Sequence, residues 1–368
     1  MNKDGEITIE QLLDSIAAAQ TRLYDKLAHL DVTSLNISEY NQRYLGNRIA
    51  NLKGVLQLYG RLLSFCLNKV PVHPENFVLV DYGGGSGLIS LLAAESGIRT
   101  VIYNDIYDVS CRDVRLLSHE LGLKLDHIVC GDLDELISYL HKNSISVDAI
   151  TSYDVLEHIY DVEYHFHKLT TLSDRPLRVV YASGANIANL RYVFAVKKKQ
   201  IEAEYKNREK KWGYKQCDSL QAFFDVRKKI ISSYAPDMSL ETVEHLAGLT
   251  RGLVQKDIEK CVDEFRLEGK ISYHMDHPTN TCDPTTGNWC EHLLDFEWLK
   301  RILEREGFSV KIIPGPFNSD GFILRKGVKI FLNTLMRIFG QCLMFMAPYY
   351  IVYADFSRPS TAGHDNEK

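Results

Sequence analysis

The chain has 368 residues, of which 45 % are hydrophobic and 25 % charged, and its formal net charge at pH 7 is −5. These are the values of an ordinary globular protein, and they exclude a disordered or collagen-like chain. The slight acidic surplus argues against a dedicated nucleic-acid-binding protein, which usually carries a basic surplus. The length predicts two domains, or one domain with a large insertion.

The N-terminal segment, residues 1–75, is predicted to be helical because apolar residues recur at helical spacing, as at Leu12, Ile16 and Leu23. Residues 76–185 then alternate short apolar runs with helical stretches. Strands are predicted at 77–81, 100–104, 127–130, 147–152 and 177–182, and helices at 88–96, 110–121, 133–140 and 157–172. This alternation is typical of βαβ units and a parallel sheet.

Residues 186–275 interrupt the alternation and are predicted to form an inserted helical cap. Lysines and arginines recur from Lys197 to Lys215 among several glutamates. Such a run is either a solvated helix face or a surface for an anionic acceptor or a lipid headgroup. Residues 276–358 are predicted to begin with a loop and then return to the alternating pattern, with a helix at 296–306 and strands at 308–313 and 349–356. The tail, 359–368, is predicted to be disordered.

An unusually apolar helix is predicted over 327–347. The longest apolar stretch in this region, 338–354, has about 17 residues and is interrupted by Gln341 and Pro348, so it falls short of the roughly 20 apolar residues that a spanning helix needs. Lys329 and Arg337 could extend their charged ends toward headgroups, so the helix is a candidate for peripheral membrane contact. Core packing and a homodimer interface are the alternatives.

The N-terminus and the cysteines predict a cytoplasmic location. No basic segment followed by an apolar segment opens the chain, so no signal peptide is expected. The eight cysteines are spread along the sequence and form no CxxC pair. That distribution favours reduced thiols in a reducing compartment.

The most informative motif is VDYGGGSG, in which Asp81 ends the first predicted strand and Gly83, Gly85 and Gly87 alternate before a helix. Such a loop lets the backbone approach a ligand closely and directs a helix N-terminus toward it. A dinucleotide fingerprint, GxGxxG, would need a further glycine at position 88 or 90, where leucine and serine stand. The motif therefore does not predict a dinucleotide site.

This DxGxGxG loop resembles the cofactor loop of class I S-adenosylmethionine-dependent methyltransferases of the bacterial small-molecule type. Further landmarks of that family match Asp105 after the second strand, Asp132 after the third and SYDVLEHI after the fourth. The resemblance implies an α/β Rossmann-like fold with a seven-stranded, mostly parallel sheet and an antiparallel last strand. It implies S-adenosylmethionine as cofactor, bound by Asp81, Gly83, Gly85, Gly87, Asp105, Ile106, Asp132, Leu133, Tyr153, Asp154 and His158.

Each acidic landmark also has an ordinary structural interpretation. An aspartate that ends a strand, such as Asp81, can cap the following helix, and Asp105 or Asp132 can be turn residues. Glu157 can lie on a solvated helix face. The family interpretation is favoured because all the landmarks occur in the expected order at predicted strand ends, where open α/β sheets bind ligands.

Two histidines are candidate general bases. His158 follows the fourth strand, although it could instead pack against the cofactor or bond to the backbone. His277 lies in the loop HMDHPTNTCDPTTGNWCEH, which precedes the helix leading to the sixth strand. Its polar and aromatic content predicts a loop that binds substrate. The residues assigned to that loop are His274, His277, Asn280, Asn288 and Trp289.

The same loop also contains the residue types of a zinc site. His277, Cys282, Cys290 and His292 would supply two nitrogen and two sulfur ligands. Their spacings match no familiar zinc pattern, so no metal is predicted.

The sequence thus predicts methyl transfer from S-adenosylmethionine to O, N or C of a small molecule. The resemblance indicates a sugar, surface-polysaccharide or secondary-metabolite intermediate, and the basic run allows an anionic one; nucleic acid is not expected. A catalytically lapsed partner protein is one alternative, but the intact Asp81, Asp105 and Asp132 argue against it. A protein or RNA methyltransferase is the other.

Overall fold

The computed structural model describes residues 8–68, 76–209, 219–318 and 323–357. The predicted tail at 359–368 and the lysines of the basic run beyond 209 lie outside these residues. Seven strands form one sheet in the order β3-β2-β1-β4-β5-β7-β6. Their bounds are β1 Val78–Tyr82, β2 Thr100–Asp105, β3 His127–Cys130, β4 Ala149–Tyr153, β5 Leu177–Ser183, β6 Phe308–Gly315 and β7 Tyr349–Phe356.

The sheet confirms the predicted fold class. Strands β1 to β5 pair in parallel, whereas β7 runs antiparallel to both β5 and β6. The chain moves outward from β1 through β2 to β3 and then returns to place β4 on the other side of β1. The carboxyl ends of β1, β2 and β4 therefore border the point at which the strand order reverses. Open α/β sheets bind ligands in that crevice.

Helices cover both faces of the sheet, and every residue of β5 is buried. A strand buried on both faces reads as a continuous apolar run, which is why the sequence predicted these strands well. The helices that connect the strands are α4 Leu88–Glu95, α5 Asp108–Glu120, α6 Leu133–Lys142, α7 Val162–Leu169 and α12 Phe296–Arg305.

The N-terminal helices pack on the same core as the sheet. They are α1 Ile9–Ala28, α2 Glu39–Ile49 and α3 Leu52–Leu67. Leu12, Ile16 and Leu23 of α1 are buried and join one hydrophobic cluster with Leu79 of β1 and Leu91 of α4. This packing carries α2 to the crevice edge of the sheet.

The cap contains α8 Leu190–Tyr205, α9 Phe223–Tyr234, α10 Leu240–Leu249 and α11 Gln255–Glu268. Ile231, Leu246 and Val262 belong to a small hydrophobic cluster of its own. The predicted helical cap consists of separate helices, and between α10 and α11 the chain turns at Gly252, which adopts a left-handed conformation with φ of 81°.

The apolar helix near the C-terminus, α13 Ile323–Phe339, is continued by a 3-10 segment at Gly340–Met346. Core packing, one of the three expectations for it, is contradicted. Phe331 is 62 % exposed and Ile338 is 67 % exposed, although Met336 is buried. The span Lys326–Met346 has the length and composition of a membrane-crossing helix, and only 11 % of its most apolar window is buried.

Candidate functional site

The glycine loop leaves β1 at the crevice and turns directly into α4. Gly83, Gly85 and Gly87 all have positive φ, and Gly87 is the N-cap of α4. A Cβ on Gly83 would lie 2.6 Å from Cγ2 of Val155, so glycine is required there for space as well as for conformation. The loop therefore brings bare backbone to the edge of the sheet.

Asp81 anchors this loop from below. Its Oδ2 accepts hydrogen bonds from the Ser90 amide (3.0 Å) and the Ser90 hydroxyl (2.7 Å), so it caps the first turn of α4. Only 1 % of Asp81 is exposed, and burial raises its pKa to about 7 against the lowering effect of Ser90. The sequence also allowed Asp81 to be a helix-capping residue, and capping is the role that its contacts in the structure correspond to.

Asp105 faces the glycine loop from the end of β2. Its Oδ2 accepts a hydrogen bond from the Gly85 amide (2.8 Å), and its Oδ1 accepts one from the Tyr107 amide (2.9 Å). A carboxylate oxygen can accept more than one hydrogen bond, so these backbone contacts are compatible with ligand hydroxyls binding to the same group. Beside it, Ile106 is 61 % exposed and offers an apolar surface at the crevice.

The start of α6 lies next to Asp105, because the Gly131 amide donates to the Asp105 carbonyl (3.0 Å). Asp132 is the N-cap of α6 and accepts hydrogen bonds from the amides of Asp134 and Glu135. Leu133 is buried beneath it. Asp132 therefore stands at the predicted place, but its recorded contacts are those of a helix cap.

The end of β4 gathers further charged groups. Asp154 has φ of 56°, and its Oδ1 accepts a hydrogen bond from the Gly184 amide (3.0 Å). Burial raises the pKa of Asp154, and the nearby Arg48 opposes that rise. The neighbouring Tyr153 packs edge-on against Tyr59 of α3, with 5.7 Å between the ring centroids.

Residues 80–172, which contain the glycine loop, Asp81, Asp105, Asp132 and Asp154, match the profile of a family described as a methyltransferase domain. This segment is a methyltransferase domain. No curated protein sequence matches the chain.

Solved structures similar to the chain include a methyltransferase dependent on S-adenosylmethionine from Mesorhizobium loti. It is 15 % identical, with 80 % of this chain and 95 % of that chain covered and a TM-score of 0.34. The plantazolicin methyltransferase BamL, in complex with a triazolic desmethylPZN analog and SAH, is 10 % identical. The match covers 95 % of this chain and 98 % of the BamL chain, with a TM-score of 0.42.

Two residues of α2 reach the methyltransferase domain and were not predicted. Cε1 of Tyr44 lies 3.6 Å from where a Gly85 Cβ would be, so this ring covers the loop. Arg48 donates a hydrogen bond to the Tyr44 hydroxyl (2.6 Å) and lies 3.6 Å from Asp154. The i, i+4 spacing puts both on one helix face, but no sequence signal relates that face to a loop 40 residues away.

His158, which follows β4 in the methyltransferase domain, contacts the predicted substrate loop. Its Nδ1 lies 2.9 Å from the backbone carbonyl of Trp289. Because a carbonyl only accepts, Nδ1 is assigned the proton, and in the neutral ring Nε2 carries the lone pair. The backbone contact expected as an alternative for His158 is therefore present, and Nε2 is left as its basic atom.

The loop itself is held to the cap from inside. Asn280 is fully buried, and its Oδ1 accepts hydrogen bonds from Gln200 of α8 (3.1 Å) and from the Leu293 amide (3.1 Å). His277 Nδ1 lies 3.1 Å from the Thr279 hydroxyl. Asn288 accepts a hydrogen bond from the Asp283 amide at its carbonyl, within a turn. Asn280 is consequently a structural residue of the loop.

The four residues considered for zinc, all of them described, do not form a site. No three of His277, Cys282, Cys290 and His292 bring ligand atoms within 4.8 Å of one another. Cys282 instead pairs with Trp289 in a β-bridge, and His292 stacks on the Trp289 ring with centroids 4.0 Å apart. The zinc alternative is contradicted by this geometry.

A cavity of about 280 Å³ opens between the loop, the cap and the start of α7. His274 and Trp289, both assigned to the substrate loop, line it, whereas Asn280 and Asn288 do not. Aromatic and acidic side chains supply most of its remaining wall, among them Tyr160, Tyr273, Trp298, Asp161, Asp257 and Asp276.

Proposed function

We propose that the chain is an enzyme that transfers a methyl group from S-adenosylmethionine to a small molecule. The observation that carries the proposal is the hydrogen bond from the Gly85 amide to Asp105 inside the methyltransferase domain. This bond orients the Asp105 carboxylate toward the crevice, next to the backbone of the glycine loop. Only 6 % of Asp105 is exposed to solvent, so a hydroxyl bound there would be shielded from competition with water.

The residues around the crevice fit the parts of this cofactor. The Asp105 carboxylate suits two vicinal ribose hydroxyls, and the exposed face of Ile106 suits a purine ring. The Arg48 guanidinium, which bonds the Tyr44 hydroxyl of the ring that covers Gly85, suits a carboxylate. When bound, S-adenosylmethionine supplies a methyl group activated by a sulfonium. The protein then has to orient the acceptor and exclude water.

Two histidines can accept the proton that the acceptor loses. His158 donates Nδ1–H to the Trp289 carbonyl, so in the neutral ring Nε2 carries the lone pair that a general base needs. Burial and then the charge of Lys197 lower the pKa of His277, which favours its neutral form.

A small acceptor is favoured by the size of the cavity beside the Trp289–His292 ring stack, about 280 Å³, and by its aromatic wall. The carboxylates of the cavity wall do not favour an anionic group, so a positive charge for an anionic acceptor would come from outside the cavity, from Lys197 and Lys199 of α8; Lys199 also contacts Glu291 at 3.3 Å. Free thiols at the described cysteines suit a cytoplasmic enzyme.

Native mass spectrometry of the purified full chain tests the function. We expect one S-adenosylmethionine per chain, and no retention of NAD at the same concentration. His277→Ala should keep the cofactor stoichiometry and slow the conversion of cofactor to S-adenosylhomocysteine in the presence of acceptor. A chain that retains neither S-adenosylmethionine nor S-adenosylhomocysteine would refute the proposal.

We also propose that the exposed face of α13 rests on an anionic lipid surface. Val328, Phe331 and Ile338 are more than half exposed, and Lys326 and Arg337 flank them at the surface. Apolar residues of this kind insert into the headgroup region while basic residues interact with anionic lipid.

Sedimentation with vesicles tests this surface. Vesicles with phosphatidylglycerol should bind the wild type, and the pair Phe331→Asp and Ile338→Asp should lose most of that binding. Leu267→Asp, at an 86 % exposed leucine of α11, is the matched control and should bind like the wild type. Equal sedimentation of all three proteins, or a dimer that buries α13 in solution, would contradict the membrane contact.

A further inference from the structure

Glu157, His158 and Glu291 form a cluster at the carboxyl end of β4 that the proposed reaction does not explain. One ligand atom from each of the three lies within 4.8 Å of the others. Two come from the 3-10 segment Leu156–His158, and the third comes from the substrate loop 133 residues later. The His292 amide donates to the Glu157 carbonyl (3.0 Å), which fixes the loop against this segment.

Glu157 is the member of the cluster that points to a missing ligand. Its side chain is 1 % exposed, and among the described residues its Oε2 has no hydrogen-bond partner. A buried carboxylate oxygen without a partner is costly, and buried charges are normally paired or bound to a metal. Glu291 adds a second carboxylate beside it; Lys199 contacts Glu291 Oε1 at 3.3 Å, whereas the buried Glu157 Oε2 has no such partner among the described residues.

The other two members are oriented by neighbouring groups. The Trp289 carbonyl holds Nδ1–H of His158, which leaves Nε2 to coordinate. Histidines that bind metals usually donate their other ring N–H in this way. Glu291 adopts a left-handed backbone with φ of 58°, and the Tyr192 hydroxyl donates to its Oε2 (2.8 Å). Strained backbone of this kind is concentrated at functional sites.

We propose that Glu157, His158 and Glu291 bind one divalent metal ion. Two carboxylates and one imidazole suit a hard to borderline ion such as Mn²⁺, and the two negative charges balance its charge. The role of the ion rests on the proposed methyl transfer: it would orient an acceptor hydroxyl and lower its pKa. The acceptor is then an oxygen nucleophile, and His158 is a ligand, which leaves His277 as the general base.

Binding is tested with Mn²⁺ alone, without cofactor, on the full chain by electron paramagnetic resonance. We expect one bound Mn²⁺ per wild-type chain. Glu157→Gln and Glu291→Gln should each weaken binding by about tenfold or more, the range seen even for residues that only support a ligand. Glu306→Gln is the matched control, since Glu306 also contacts a histidine, His167 at 2.8 Å, but on the surface.

Pulsed measurements should show ¹⁴N coupling from one imidazole, and His158→Gln should remove it. Glu291 is partly exposed, so its variant keeps the test valid if Glu157→Gln fails to fold. The proposal is overturned if millimolar Mn²⁺ does not bind, if all variants bind it equally, or if no nitrogen coupling is seen. Cofactor retention by the Glu291→Gln chain is measured separately. Retained cofactor without bound Mn²⁺ would refute the metal site alone, so this failure is distinguishable from a failed methyltransferase assignment.

Discussion

Replacing Asp105 with alanine is expected to abolish binding of S-adenosylmethionine. The variant loses the acceptor for two ribose hydroxyls and releases the Gly85 amide that shapes the loop. Hydrogen bonds to a charged group contribute about 1.5 to 3 kcal/mol each, so losing two weakens binding by at least about a hundredfold. Isothermal titration calorimetry of the purified variant measures this loss.

Asp126 supplies the matched control for that experiment. Its carboxylate accepts a hydrogen bond from the Val101 amide (3.1 Å) at the opposite end of the same strand, β2. Asp126→Ala therefore removes a comparable carboxylate–backbone contact away from the crevice, and its cofactor affinity should match that of the wild type. If Asp105→Ala also binds like the wild type, the assignment of Asp105 to the ribose is wrong.

Replacing Arg227 with methionine is expected to destabilise the protein strongly. Arg227 of α9 is 0 % exposed and forms a buried ion pair with Glu204 of α8, and its Nε donates to the Ala247 carbonyl (2.8 Å). Removing Arg227 leaves the buried Glu204 carboxylate with the longer contact to Arg251, at 3.8 Å, and breaking a buried pair typically costs about 3 to 5 kcal/mol. Chemical denaturation followed by circular dichroism measures the free energy of unfolding.

Two further variants separate the ion pair from the loss of side-chain volume. The double variant Glu204→Met and Arg227→Met removes both charges, so it should be more stable than Arg227→Met alone. Arg266→Met removes the arginine of an exposed pair with Asp237 and should change stability by less than about 1 kcal/mol. A wild-type free energy of unfolding in Arg227→Met would show that the pair does not hold the cap.

The Glu204 pair also explains how the cap positions the substrate loop. The Thr281 hydroxyl donates to Glu204 Oε2 (2.7 Å), so the same carboxylate binds the cap arginine and the loop. None of these residues carried a functional signal in the sequence. Glu204 and Arg227 lie in polar helices, where charged residues are expected to face solvent. Their burial depends on the packing of α8 against α9, which the sequence pattern does not show.

The sheet could be predicted from the sequence because each strand is a short apolar run bounded by turn residues. The glycine loop and Asp105 could also be placed, since both follow directly from strand ends. Tyr44 and Arg48 could not, because their position over Gly85 depends on how three N-terminal helices pack on the sheet. Likewise, His158 meets Trp289 only through a contact that spans 131 residues.

The exposed face of α13 shows the limit of apolar periodicity as a guide. Hydrophobic content was compatible with lipid contact, a dimer interface or core packing, and the structure leaves Phe339 of α13 and Phe345 of the following 3-10 segment more than half exposed. Periodicity identifies an apolar helix but does not say whether protein, lipid or a second copy of the chain covers it.

The central claim is that the crevice between the glycine loop and Asp105 holds the cofactor. A crystal structure of the full chain with S-adenosylhomocysteine tests it most directly. We predict that both ribose hydroxyls donate to the Asp105 carboxylate and that the amino-acid part lies along Gly83 to Gly87. A by-product bound elsewhere, or a Tyr44 ring that keeps the crevice closed at saturating ligand, would contradict the claim.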